Sequence, residues 1–308
     1  MTPMQPELRQ LAEGVFAWIG AGGDSNAGAI ETPDGVIVID AQQTATLGKN
    51  FRQALANTVD KPPHTLVTTH YHFDHVAGNV AFAGDAPILA HERTLEKLEA
   101  RLGPSTESPW TITDLPTKIG MFYGENIDEL IPEGDPAWEW FEKRFAPSDY
   151  DILEIVPPTQ TFANRFAFHL PDGPVKLEYF GPAHCDGDII VHLPRHKLVF
   201  LGDLFFYGRF PWLGDCDLNG WIAALDQILT RDLEIAVPGH GIPGTLKDVA
   251  WFRGLLVAFR TAVEAAIDKG ASEEAVVNEV KLPEYSKLSR YDTWLPFNLR
   301  SAYRYLSG

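Results

Sequence analysis

Short apolar runs broken by turn residues fill most of the chain, and a long amphipathic stretch follows them. Val15-Phe16-Ala17-Trp18-Ile19, Gly28-Ala29-Ile30 and Val36-Ile37-Val38-Ile39 predict the opening strands, with Pro33-Asp34-Gly35 as a hairpin turn between the last two. Leu66-Val67-Thr68-Thr69, Val175 to Phe180, Leu198 to Leu201 and Ile235-Ala236-Val237 predict further strands. Helices are expected over Thr44 to Asn57, His91 to Leu102 and Asp217 to Leu229. From Leu246 to Lys269 apolar residues recur at Val249, Phe252, Leu256, Phe259 and Val263, which reads as a helix with a core-facing stripe. Gly270 stands where its C-cap would be. Strands and helices in this mixture read as a layered α/β protein.

The later strands end at residues that can carry chemistry. The run from Leu66 stops at His70, and the run from Val175 gives way to Gly181-Pro182-Ala183-His184. Leu198 to Leu201 leads into Gly202-Asp203, and Ile235 to Val237 into Pro238-Gly239-His240. Ligand sites of layered α/β proteins collect at such carboxyl ends. His70, His72, Asp74 and His75 lie within six residues, a cluster costly to bury except around a metal ion. In an extended stretch residues i and i+2 point the same way, so His70 and His72 can converge on one ion. Asp74 and His75 follow where the chain should turn into a helix, and they can face a second ion. A solvated polar loop would explain the cluster but not the other strand ends.

The series His70-x-His72-x-Asp74-His75, then His184, Asp203 and His240, resembles the metallo-β-lactamase-fold hydrolase superfamily over about residues 10 to 245. The resemblance implies a four-layer αββα sandwich with metals at one edge, between two sheets. It implies a first ion held by His70, His72 and His184, a second held by Asp74, His75 and His240, and Asp203 bridging them. Asp74 and Asp203 would also serve catalysis. A bridging Asp203 looks more like glyoxalase II and the lactone hydrolases than like most true β-lactamases, and His75 departs from the subclasses with a cysteine downstream of the cluster. The implied activity is hydrolysis of an ester, thioester, lactone or amide (β-lactams included) by a hydroxide shared between two divalent ions. Zinc is the natural assignment, and iron and manganese also accept imidazole and carboxylate. The alternative in the same fold is a mononuclear iron enzyme that oxidises sulfur compounds. A non-catalytic module with a vestigial site would be expected to lack ligands, and here none is missing.

With 308 residues, 45% of them apolar, the chain can bury a large core, and no polar or Gly/Ser-rich linker divides it. The expectation is one domain over 1–308, with an insertion over 103–149 and a helical C-terminal extension over 281–308. The insertion, broken by Pro104, Pro109, Pro116, Pro132, Pro136 and Pro147, carries Trp110, Trp138 and Trp140. It reads as a lid over the substrate pocket, or else as a covering layer or dimer contact. The apolar segment Phe205 to Leu213 suggests a hydrophobic substrate face at Phe206 and Trp212, with Tyr207 as a hydrogen-bond donor to a developing oxyanion. Ordinary packing explains that segment nearly as well. Asp40, at the end of the third strand, either orients a metal-bound histidine or caps the element that follows.

His64, His91, His169, His192 and His196 have no spaced partners and read as structural or surface residues. Cys185 and Cys216 make no disulfide framework, and Cys185 is a soft ligand that the N and O donors make unnecessary. A net charge of −17, with 42 acidic against 25 basic residues, argues against nucleic acid as a partner and leaves a small-molecule substrate. Arg209 and Lys143 are the candidate anchors if that substrate is an anionic thioester. No run reaches bilayer length, so no membrane is expected. Met1 to Gly14 lacks an apolar signal core, so the cytoplasm is expected. The aromatic stretch Leu282 to Leu306 either closes the domain or supplies a homodimer contact.

Overall fold

The computed structural model describes residues 3–113 and 148–307. Most of the expected lid, Lys143 included, lies outside them. Strands β1 (Glu7–Ala12), β2 (Val15–Ile19), β3 (Ala27–Thr32) and β4 (Gly35–Ile39) run as an antiparallel meander. The β3–β4 turn sits at Pro33-Asp34, where the Thr32 hydroxyl donates to the Gly35 carbonyl. Strands β5 (Pro63–Val67), β6 (Ile88–His91) and β9 (Gln160–Phe162) then add in parallel, completing a seven-stranded sheet. Strands β7 (Trp110–Thr113) and β8 (Ile152–Ile155) form a separate antiparallel pair.

A second sheet holds β10 (Arg165–Leu170), β11 (Gly173–Tyr179), β12 (Ile189–Leu193), β13 (Leu198–Phe200) and β14 (Ile235–Val237) in sequence order. Its last pair, β13 with β14, is parallel. The parallel pairs β4/β5 and β13/β14 pack across the sandwich through Ile37, Ile39, Val67, Leu198, Phe200 and Val237. Their carboxyl ends therefore share one rim. Burying each such aliphatic side chain contributes about 1.5–3 kcal/mol, so the rim rests on a well-packed floor.

Helices cover the outer faces. On the first sheet, α1 (Ala45–Ala56) sets Phe51 and Leu55 against Val36, Val38, Leu66 and Ile88. Short α2 (Phe73–Val76) and α3 (Glu92–Leu102) follow β5 and β6. On the second sheet, Ile190, Val199 and Ala236 meet Trp221 and Leu225 of α4 (Leu218–Leu229) and Phe252 and Leu256 of α5 (Leu246–Ile267). Thr44 caps α1 and Asp217 caps α4 through their side chains, and Thr245 with Asp248 forms a capping box on α5. The result is the four-layer αββα sandwich. No described helix is long and apolar enough to cross a membrane.

The C-terminal stretch is helical, with α6 (Glu273–Glu279) and α7 (Tyr291–Ser307). Trp294, Leu295, Phe297 and Leu299 of α7 are buried in the core shared with α4 and α5, so these aromatics are used within the chain. Buried Asn298 accepts from the Leu213 amide and donates to the Pro211 carbonyl, clamping the segment that follows Asp203.

Element ends differ from expectation by a residue or two, as ends commonly do. One difference is informative. The strand expected to run through Thr69 closes at Val67, because the Thr69 amide donates to the Asp40 carboxylate instead of to a neighbouring strand.

Candidate metal centre

The rim is assembled from loops that each leave a strand end. After β5 the chain bends at Tyr71 and is extended again at His72, the N-cap of α2, and Asp74 and His75 occupy that helix. His184 comes from the loop between β11 and β12, which Asp188 pins by accepting from the Cys185 amide at 2.6 Å. Asp203 lies in a single turn, Gly202–Leu204, after β13. His240 follows β14, in a loop held by Asn26, whose side-chain amide donates to the Pro238 and Gly241 carbonyls. Two glycines permit the close approach. A Cβ on Gly239 would sit 1.8 Å from Asp203 Oδ1, and Gly202 has a φ of +51° with Thr69 beside it.

These loops bring seven buried side chains into two groups. His70, His72, His184 and Asp203 each offer a ligand atom within 4.8 Å of the others, and so do Asp74, His75 and His240. Asp203 touches both. Its Oδ2 lies 3.9 Å from His70 Nε2, 3.7 Å from His184 Nε2 and 3.5 Å from His240 Nε2, while Oδ1 lies 3.2 Å from His75 Nε2. Asp74 Oδ2 lies 3.2 Å from His240 Nε2 and 4.0 Å from His75 Nε2.

The donor set fits divalent cations. His70 Nε2, Asp74 Oδ1 and both nitrogens of His184 are buried without hydrogen-bond partners. Leaving such groups unsatisfied costs about 1–3 kcal/mol each, a cost that ligation would remove. Protonation points the same way. Burial, then the neighbouring His75, lowers His70 to about 4, and burial with His184 and His70 lowers His72 well below its ordinary range. Both are therefore neutral imidazoles, the form that ligates. Burial opposes charge on Asp74 and Asp203, yet the histidines beside them hold both carboxyls well below the usual range. His75 differs: burial opposes its charge, but Asp203, Asp40 and Asp74 together raise it well above its ordinary value, so it would have to release its Nε2 proton to ligate.

Groups outside the donor set fix the far sides of the rings. Asp40 Oδ2 accepts from His75 Nδ1 at 2.9 Å and from the Thr69 hydroxyl at 2.8 Å. Its backbone is left-handed, with φ +56°, a strain of about 1–3 kcal/mol that these bonds offset. The Thr69 hydroxyl also lies 3.0 Å from His70 Nδ1, and the Gly23 carbonyl lies 3.0 Å from His240 Nδ1. Two carboxylates went unforeseen. Asp188 has Oδ1 3.7 Å from His184 Nδ1, and Asp215 has Oδ2 3.4 Å from His72 Nε2. The i+4 spacing of Asp188 from His184 was a weak clue; Asp215 had none.

Cys185 donates to Asp188, and burial followed by that carboxylate raises its thiol well above the ordinary range; His184, Cys185 and Asp188 also bring their donor atoms within 4.8 Å of one another. Phe206 and Trp212, expected at a substrate face, are both buried. Phe206 stacks on His240 with ring centroids 5.3 Å apart, and Trp212 packs against Trp294 and Phe297. Tyr207 is half-buried and lines a cleft of about 480 Å³ with Gly22, Gly23, Arg209 and Lys287. Arg209 donates to the Gly23 carbonyl, lies over the Trp294 ring, and brings Nη1 to 2.7 Å from His240 Nδ1, the nitrogen that the Gly23 carbonyl also faces.

Residues 20–240 match the metallo-beta-lactamase superfamily. The chain is 26% identical over 241 residues to the 2,4-dinitroanisole O-demethylase subunit alpha of Nocardioides sp. (strain JS1661), covering 77% of this chain and 56% of that one. It is 21% identical over 280 residues to the linear primary-alkylsulfatase of Pseudomonas sp. (strain ATCC 19151), covering 86% and 51%. The chain thus spans about half the length of these curated relatives. Among solved structures, the inverting sec-alkylsulfatase Pisa1 from Pseudomonas sp. superposes with a TM-score of 0.70 at 19% identity, over 98% of this chain and 50% of that one. The fold, the matched span and the paired His/Asp groups agree, and the chain belongs to the metallo-beta-lactamase superfamily.

Proposed function

We propose that this protein is a dinuclear metal-dependent hydrolase. The observation that carries the reading is the division of seven buried donors into two adjacent groups joined by Asp203. His70, His72 and His184 would hold one ion, Asp74, His75 and His240 the other, and Asp203 both; zinc suits this set best. When bound, such a pair supplies a hydroxide nucleophile near neutral pH and polarises the bond under attack.

The chain's own residues do the rest. Asp203 fixes the separation of the two positions. Asp74, beside His240, is placed to steer a proton at the same point. Asp40 and the Gly23 carbonyl orient His75 and His240, and buried Phe206 and Trp221 back His184 and keep water from that side. The bond cleaved is taken to be a carboxylic ester, thioester, lactone or amide. A second reading, hydrolysis of a sulfate ester or an aryl ether, is favoured by the relatives named as an alkylsulfatase and an O-demethylase.

The test is a panel of ester, thioester, lactone, β-lactam, alkyl sulfate and nitroaryl ether substrates, run with zinc-loaded protein beside Asp203→Ala. One class should turn over, and Asp203→Ala should lose at least about a thousandfold in kcat/KM. Turnover that survives this substitution would end the hydrolytic reading. Oxygen consumption with sulfur compounds would install the iron dioxygenase instead.

A further inference from the structure

A partner on the far nitrogen of a histidine fixes the tautomer that leaves the near one free to face an ion. Asp40 does this for His75, the Thr69 hydroxyl for His70 and the Gly23 carbonyl for His240. We propose that Asp215 is the positioning residue for His72, and that Tyr71 and Arg101 hold its carboxylate in register. The proposal rests on the two-ion reading above.

The geometry converges on one oxygen. Asp215 Oδ2 lies 3.4 Å from His72 Nε2, accepts from the Tyr71 hydroxyl, and lies 3.7 Å from Arg101 Nη2. Burial pushes the Asp215 carboxyl up to about 8, while the Tyr71 hydroxyl and Arg101 beside it favour its ionised form; once ionised it can only accept, which keeps the proton on Nε2 and leaves the lone pair on Nδ1. Tyr71 and His72 are chain neighbours, which in an extended stretch point to opposite sides. Here their rings meet edge to face, 4.7 Å apart, and both reach the same oxygen. Arg101 comes from the end of α3 with its guanidinium 4.2 Å from the Tyr71 ring centroid, so the buried carboxylate has a cation beside it. Asp215 thus ties the segment before α4 to the first ion position, although 143 residues separate it from His72.

A purely structural Arg101–Asp215 pair makes a different prediction, which separates the two. The experiment is zinc titration of chelator-stripped protein against a chromophoric chelator, for wild type, Asp215→Asn and Tyr71→Phe, with thermal melting of the metal-free forms. Wild type should take up two equivalents. Asp215→Asn should weaken one equivalent about 10–100-fold and leave the other unchanged. Tyr71→Phe, which removes one hydroxyl and keeps the ring, should weaken the same equivalent by a smaller factor, and it reports even if Asp215→Asn fails to fold. If wild type binds two ions and both variants bind them with unchanged affinity, Asp215 has no such role, whatever happens to the melting temperature. If folded wild type binds none, the two-ion reading itself falls.

Discussion

His70, His72 and His184 gather on one side of Asp203 as three imidazoles, whereas Asp74, His75 and His240 gather on the other with a carboxylate among them. In the first group burial leaves His70 and His72 uncharged, helped by His75 beside His70 and by His184 and His70 beside His72. In the second, His75 is drawn into its charged form by Asp203, Asp40 and Asp74, against the cost of burial. One side is thus a set of open lone pairs, and the other is partly balanced by its own ion pairs. In the two-ion reading the contrast teaches that the positions draw on different side chains and share Asp203 as a donor, with Asp40 and Thr69 linking His75 to His70 behind them. They should therefore fail separately when their own residues change and together when Asp203 is disturbed.

The largest expected effect comes from crowding the shared residue. Gly239→Ala places a Cβ where Asp203 Oδ1 now lies, so Asp203 or the His240 loop must shift. The variant should fold with a loss of about 1–3 kcal/mol, measured by urea denaturation, and should bind neither ion with wild-type affinity. Two ions bound as in wild type would contradict the role given to Asp203.

Next come changes confined to one side. His184→Ala and His240→Ala should each lower bound zinc from two equivalents to one by atomic absorption, with at least about a hundredfold loss of activity in each. If either substitution empties both positions, the two groups act as one site and the contrast dissolves.

The smallest effect belongs to a pair far from the rim. Arg231 donates to both oxygens of Glu178 on β11, and contact with His192, then Arg231, against the cost of burial, holds the Glu178 carboxyl at about 2. Its folded pKa lies below the ordinary 4.5, so the stabilisation is present above that pH and is lost as pH falls toward 2. Arg231→Leu should cost about 1–3 kcal/mol at pH 7, less as pH drops below 4.5, and should leave metal content unchanged. A constant cost across that range would show that packing, not charge, is what Arg231 supplies.

The parts legible in the sequence were those encoded locally. His70 to His75 announce themselves by spacing, and His184, Asp203 and His240 by standing just past apolar runs that could only be strands. Asp40 was visible for the same reason, ending a strand. The partners of the far nitrogens were not legible. Asp215 reaches His72 across the fold, and the Gly23 carbonyl carries no side-chain signal at all. The apolar segment after Asp203 was ambiguous because a substrate wall and a packed core ask for the same residues. Here Phe206 is spent on His240 and Trp212 on the C-terminal helix. The expected lid at 103–149 falls mostly outside the described residues.

The most direct test is anomalous diffraction at the zinc edge from crystals of zinc-loaded protein. Two peaks are predicted, one within bonding reach (about 2.0–2.2 Å) of His70, His72 and His184, the other within reach of Asp74, His75 and His240, with Asp203 touching both. A well-folded crystal with no peak at this rim, or with the seven side chains turned away from the ions it holds, would contradict the account.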